Sequence, residues 1–185
     1  MIENSILKRN KEGFKALVFA MTFYNQTLIE MAAHVGFQAI SLDGEHGAFT
    51  PESVDEICRV ANGYNMSVVA RVQNKDPNTI NLWLDRGIQG VVGPHVETGA
   101  EALALADACL FPPDGWRSWG GGRGTEHGDQ HVLDDKYGGK LGFAQFANAN
   151  MLVGGQIESK EAAARADEIL AVPGLMAIAW GPHDM

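Results

Sequence analysis

Short apolar runs recur along the chain, each followed by a stretch in which apolar residues return at helical spacing. Strands are predicted near residues 15–23, 38–43, 67–72, 90–96, 152–158 and 175–181. These runs are continuous in Val, Ile, Leu and Ala rather than alternating, as expected for parallel strands covered on both faces. The helical stretches carry their own boundary signals. An opening helix spans about residues 3–11, and Leu28, Ile29, Ala32, Ala33 and Val35 define a second that stops at Gly36. Thr50-Pro51-Glu52 supplies a capping hydroxyl, a proline at the first helical position and an acid against the helix dipole. That helix presents Val54, Ile57, Cys58 and Ala61 on one face. Asp76-Pro77 opens the next, with Ile80, Trp83 and Leu84 inward and Gly87 as its stop. Further helices are predicted over Ala100–Leu110, Lys140–Ala149 and Lys160–Leu170, the last capped by Ser159. Residues 113–139, polar and glycine-rich, are predicted to form a long functional loop.

Strand and helix alternate without self-similarity, so these are βα units rather than a repeat array. A doubly wound sheet usually has a glycine-rich turn after its first strand. Here Met21-Thr22-Phe23-Tyr24-Asn25 follows instead, which favours a barrel. The fold class is therefore α/β, a (β/α)8 TIM barrel. Such barrels typically need about 250 residues, so residues 1–185 are expected to form a single incomplete domain holding the first six βα units. The isolated chain is expected to be poorly closed and marginally stable.

Composition narrows the function. A net charge of −9 argues against nucleic acid as a partner, since phosphate binding needs clustered Lys and Arg. Cys58 and Cys109 form no paired motif and read as buried, reduced thiols. The charged N-terminal stretch resembles neither a signal peptide nor a membrane span, so a cytoplasmic protein with no membrane partner is expected.

Parallel strands place all their carboxyl ends on one face, and it is there that the ionisable groups fall. Asp43, Glu45 and His46 follow the second strand, Arg71 ends the third, and Gln156 and Glu158 end the fifth. Asp184 follows the sixth. Two carboxylates on neighbouring strands can share a divalent cation; equally, Glu158 can cap a helix and Asp184 can sit in a turn. A histidine beside carboxylates suits proton transfer near neutral pH, whereas a polar loop would leave His46 in water and Asp43 paired with Arg71. Arg71 itself can stabilise an oxyanion, form that salt bridge, or do both. Gly120–Gly124 lacks the lysine and spacing of a phosphate loop and reads as a mobile loop. Arg117 and Arg123 within it are possible contacts for an anionic substrate, with solvated loop charges the alternative. His95 either lines the mouth or makes a local contact. His127 and His131 have no predicted helix to hold them as ligands, and His34 reads as a helix-face residue.

Taken together, GFQAISLDGEHGAFTPESV, VVARVQN, FPPDGWRSWG, GGQIESKEA and IAWGPHDM resemble, in order, the motifs of the HpcH/HpaI aldolase/citrate lyase family. The resemblance is to its metal-dependent class II pyruvate aldolases, and it runs from about residue 13 to the end. It implies a divalent-metal-dependent lyase (Mg2+, Mn2+ or Co2+) that cleaves a 4-hydroxy-2-oxo acid to pyruvate and an aldehyde, and runs the reverse addition. By the same resemblance Glu158 and Asp184 are metal ligands, Arg71 holds the keto or enolate oxygen, and His46 with Asp43 transfers protons. Gln156 and the backbone around Gly181, Pro182 and His183 would complete the pyruvate pocket. The resemblance further implies small oxo-acid and aldehyde partners and a homo-oligomer at full length. Alternatives are an acyl-CoA lyase like the citrate lyase β members, and an inactive homologue or fragment. The sequence departs from the family pattern at the first strand, at His95 and at His183, and has a longer glycine-rich loop; these departures bear on the substrate.

Overall fold

The computed structural model describes residues 1–182. Six strands form one sheet: β1 (Val18–Met21), β2 (Ala39–Asp43), β3 (Ser67–Arg71), β4 (Gly90–Gly93), β5 (Leu152–Ile157) and β6 (Ala177–Trp180). Every neighbouring pair is parallel, and the strands lie in sequence order with no reversal. A doubly wound sheet would reverse at a switch point. The sequential order is that of a barrel, and the sheet is a curled part of one, with β1 and β6 as its two edges. Leu17, Val18, Met176 and Trp180 are exposed along those edges.

The helices that return the chain are α1 (Ser5–Lys11), α2 (Gln26–His34), α3 (Pro51–Gly63), α4 (Pro77–Asp85) and α5 (Gly99–Cys109). After them come α6 (Gln130–Tyr137), α7 (Lys140–Ala149), α8 (Lys160–Ala163) and α9 (Ala166–Leu170). Local chemistry starts them where it should. Thr50 Oγ1 accepts the Ser53 N–H and the Ser53 hydroxyl oxygen accepts the Thr50 N–H, closing a reciprocal cap on α3. Asp76 caps α4 through the amides of Asn78 and Thr79. The main core lies between the sheet and these helices. Ile40, Leu42, Val68, Ala70, Val91, Val153 and Ile157 from the strands meet Ile57, Ile80, Leu84, Leu105 and Ile169 from the helices. At the amino ends of the strands, fully buried Asn4 binds the backbone carbonyls of Gln89 and Asn150 and ties α1 across the sheet.

Three elements differ from expectation. β4 ends at Gly93 rather than near residue 96, because Pro94 has no N–H for the ladder and His95 turns the chain at φ +49°. The single helix expected over Lys160–Leu170 is two short ones. The Arg165 N–H bonds the Ala162 carbonyl, tightening the turn between them, and Glu168 then reaches the Gly99 amide at 2.8 Å.

Residues 113–139, expected as one long loop, contain regular structure. Residues Arg123–Gly128 form a 3-10 segment, and α6 follows, capped by Asp129. Only Leu133 of α6 is buried, so its sequence carries little apolar periodicity. The helix is held by Tyr137, whose ring packs 5.0 Å from Phe143 and 5.1 Å from Phe146 of α7. The glycine-rich stretch lies against the end of α4, where a Cβ on Gly124 would overlap the Leu84 carbonyl at 1.9 Å.

Replacing fully buried Leu84 with Ala is expected to cost about 2–5 kcal/mol, whereas exposed Leu141→Ala should stay within about 0.5 kcal/mol of the parent. Urea unfolding of the two variants checks this; equal losses would place the core elsewhere.

Candidate active site

Side chains alternate across a strand, and the register decides which of them meet. Asp43 and Arg71 are paired partners of the β2–β3 ladder, so they project from the same face at the same level. Asp43 takes Arg71 Nε at 3.0 Å and Nη2 at 2.8 Å, a two-point clasp. The turn after β2 is closed by the Gly44 N–H to the Arg71 carbonyl (2.7 Å) and the Gly47 N–H to the Asp43 carbonyl (2.8 Å). That turn swings Glu45 back over the sheet, where its Oε2 lies 2.8 Å from Arg71 Nη1. The contact is ionic and lacks hydrogen-bond alignment, so Oε2 has no hydrogen-bond donor.

From β5, Glu158 points into the same group with its side chain only 3% exposed. Its Oε1 accepts Gln156 Nε2 at 2.7 Å, and its Oε2 accepts the His95 backbone N–H at 3.0 Å. His95 Nδ1 also lies 3.0 Å from Oε2, while its Nε2 faces Glu45 Oε1 at 3.4 Å. An unbroken polar chain therefore runs Asp43, Arg71, Glu45, His95, Glu158, Gln156 across the carboxyl ends of β2 to β5.

The electrostatics follow from these contacts. Partial burial pushes the Asp43 carboxyl up, but hydrogen bonds from Arg71 and the His46 amide, with the Arg71 charge, outweigh it and hold the group below its ordinary value. Arg71 is raised by its hydrogen bonds to Asp43, against partial desolvation, and by the charges of Asp43, Glu45 and Glu158. It remains cationic throughout.

The residues singled out in the sequence fall into three groups. Asp43, Arg71, Gln156 and Glu158 come together. His46 stands at the rim, 69% exposed, with Nε2 3.9 Å from Glu45. Asp43 accepts the His46 backbone N–H at 3.3 Å, so its partners are that amide and Arg71 rather than the imidazole. Gly181 lies beside Glu158, and a Cβ there would come within 2.4 Å of Glu158 Oε1. Its N–H donates to the Ile157 carbonyl and is not open to a ligand. Pro182 is exposed and has no N–H to offer. His183 and Asp184 lie outside the described residues.

Arg117 and Arg123 are not brought to this face. A helix in a βα unit runs back along its strand, so the end of α4 lies at the opposite, amino face of the sheet. Arg117 is buried there, 4% exposed, over the Phe111 ring and bonded to the carbonyls of Leu84 and Gly124. Burial lowers it to about 10, still cationic at neutral pH. Arg123 clasps Asp55 of α3. Both hold the glycine-rich segment in place, away from the strand-end group.

Two members of the site are weakly marked in the sequence: Glu45 stands out only as part of its motif, and His95 reads equally as a mouth residue or a local contact. The signal for His95 was Pro94 at a strand end, which forces a turn over the neighbouring strand.

Among the described residues no three His, Cys, Asp or Glu side chains converge as a metal cluster. Glu158 nevertheless suits a hard cation. It is a buried oxygen donor, held on both oxygens, with the side opposite Gly181 relieved of any Cβ. Mg2+-like ions typically take one or two carboxylates and complete their shell with water and substrate oxygens.

A parallel barrel sheet with acids, a guanidinium and imidazoles gathered at its carboxyl ends has the architecture of an enzyme active-site face. The sequence profile of the HpcH/HpaI aldolase/citrate lyase family matches residues 15–185, and the chain belongs to that family. It is 32% identical over 183 residues to the 4-hydroxy-2-oxovalerate aldolase of Novosphingobium aromaticivorans, covering 98% of this chain and 66% of that protein. It is 33% identical over 159 residues to a hydroxypyruvate/pyruvate aldolase of Chromohalobacter salexigens, covering 84% of this chain and 58% of that one. The chain thus spans about three-fifths to two-thirds of these relatives' length. The crystal structure of an HpcH/HpaI aldolase from Desulfitobacterium hafniense DCB-2 superposes with a TM-score of 0.82 at 28% identity, over 97% of this chain and 67% of that one.

The depressed Asp43 pKa sets a pH window. The Arg71–Asp43 clasp contributes fully above the ordinary aspartate value and is lost as pH falls through the lower folded value. A 13C titration of the Asp43 carboxyl should show that low midpoint, and in Arg71→Ala it should rise, because burial remains while the countercharge is gone. An unmoved midpoint would contradict the clasp.

Proposed function

We propose that this chain carries the catalytic face of a divalent-metal-dependent aldolase. The reaction is cleavage of a 4-hydroxy-2-oxo acid to pyruvate and an aldehyde, together with the reverse addition. The observation that carries the reading is a nearly buried carboxylate, Glu158, joined through His95 and Glu45 to a guanidinium that is itself oriented by Asp43. Burying such a charge is costly unless it is compensated, and this compensation lies at the strand ends where barrel enzymes do chemistry. The family membership and the aldolase names of the relatives support the same reading.

In this reading Glu158, with Asp184 assigned by motif alone, holds Mg2+, Mn2+ or Co2+. When bound, the ion supplies Lewis acidity toward the carboxylate and keto oxygens of the pyruvate unit. The protein groups do the rest. His46, exposed at the rim, takes the proton of the substrate 4-hydroxyl. The bond between C3 and C4 then breaks, and its electron pair moves to the oxygen on C2. Arg71 stabilises the developing negative charge there. Asp43 engages two of the five guanidinium N–H groups and fixes the plane, leaving others to face the oxygen. His46 then gives that proton up to C3, which completes pyruvate and restores the base. Gln156 holds Glu158 in place. The partners are small oxo acids and aldehydes, and the full-length protein is read as a cytoplasmic homo-oligomer. Among the described residues no helix is long and apolar enough to cross a membrane.

Exchange of the pyruvate methyl protons in D2O, followed by NMR with Mn2+ or Mg2+ present, tests the reading. The chain should catalyse exchange. Arg71→Ala should lower the rate by roughly 10²–10³-fold, as loss of an oxyanion donor does elsewhere, with Mn2+ still bound. Glu158→Gln should lose Mn2+ binding. Exchange unaffected by either substitution would refute the assignment of the site.

A further inference from the structure

His95, like Glu45, is a member of the strand-end group that the proposed chemistry leaves without a task. Its backbone sits at φ +49°, a conformation that non-glycine residues adopt infrequently and that tends to persist where the surroundings impose it. Pro94 ends β4 and the turn at His95 follows at once, so both the backbone N–H and the imidazole face β5. Two nitrogens of His95 therefore meet one atom: the N–H and Nδ1 each lie 3.0 Å from Glu158 Oε2. The far side of the ring is held as well, with Nε2 3.4 Å from Glu45 Oε1. Lys75 Nζ donates to the His95 carbonyl and is anchored in turn by Glu101 at 2.6 Å, pinning the backbone of the turn.

The consequence appears in the acceptor count of Glu158. An ionised carboxylate offers about two acceptor positions on each oxygen. Oε2 accepts the His95 N–H and has the ring Nδ1 at 3.0 Å besides, whereas Oε1 takes only Gln156 Nε2. It is Oε1, too, that faces Gly181, where a Cβ would intrude to 2.4 Å.

We propose that His95 is a positioning residue for Glu158. By occupying Oε2 it orients the carboxylate so that Oε1 is the oxygen offered to a divalent cation. This rests on the metal-site reading above. Partners that orient a metal ligand typically contribute roughly 10–100-fold to metal affinity, so His95 should do so here without touching the ion.

The test is the Mn2+ dissociation constant of the chain, read by EPR of free Mn2+ without substrate. His95→Gly removes the ring and relieves the left-handed backbone while leaving the backbone N–H to Oε2 in place, and His95→Asn keeps both the backbone and a side-chain donor. His95→Gly should weaken Mn2+ roughly 10–100-fold. His95→Asn, which tolerates the same backbone and can donate from its amide, should recover part of that loss. Glu158→Gln is the reference that should lose Mn2+ altogether. If His95→Gly binds within about twofold of the parent while Glu158→Gln does not bind, the His95 proposal alone falls. If His95→Asn is as weak as His95→Gly, the donor to Oε2 is not what matters, and the proposal again falls. If Glu158→Gln binds Mn2+ like the parent, or the parent does not bind it, the metal-site reading falls and takes this proposal with it.

Discussion

A carboxylate taken out of water keeps its charge only when other groups replace the solvent, and Glu158 states that requirement most sharply in this molecule. With 3% of its side chain exposed, it draws its compensation from Gln156 two residues earlier and from His95 in the turn after the adjacent strand. An unpaired charge in such a medium costs several kcal/mol. His95 also passes the demand onward, because its other nitrogen faces Glu45 and Glu45 in turn faces Arg71. One buried charge thereby determines the arrangement of four strand ends.

The chain of groups is possible because the strands are parallel and adjacent in order. Neighbouring strands lie about 4.8 Å apart, close enough for long side chains to bridge one step each. The ladder supplies the level: Asp43 faces Arg71 directly in register. The helices behind the sheet leave the inner face free, since the bulky aliphatic residues of β2 and β3, Ile40, Leu42 and Val68, pack outward against them. Packing on one side of each strand is thus what releases the other side for polar chemistry. The same division makes Arg71 rigid, as a guanidinium clasped at two points loses little further freedom when it meets an oxyanion.

The opposite face of the sheet is closed by different physics. Asn4 bonds the Asn150 side chain and the backbone carbonyls of Gln89 and Asn150 there, Gln89 Nε2 donates to the Ile2 carbonyl, and buried Arg117 stacks on Phe111 while bonding backbone carbonyls. Beside it, Phe111, Trp119, Tyr137 and Phe143 form a second apolar cluster with rings 5.0–6.3 Å apart. This is why a glycine-rich stretch takes regular structure where its own pattern is weakest. Gly120, Gly122 and Gly124 let the backbone lie directly on the end of α4, and the two arginines serve that packing.

By itself the sequence determined the order and type of the elements, because hydrophobic periodicity and capping residues act over a few positions. Thr50-Pro51, Asp76-Pro77 and the continuous Val/Ile runs could be read directly, and with them the barrel order. It also marked Asp43, Arg71, Gln156 and Glu158 as neighbours, since parallel strands place their carboxyl ends together. What it could not show depends on contacts between distant segments. α6 is held by ring packing from α7 rather than by its own periodicity. Arg117 and Arg123 carry charge that looks available in a glycine-rich run, yet the carbonyls of Leu84 and Gly124 and the carboxylate of Asp55 claim them. His95 acquires its place only when a turn at positive φ lays it over β5. Periodicity is local and survives in the sequence; the partner of a buried polar atom is decided by tertiary structure, because only there does desolvation make the choice of partner matter.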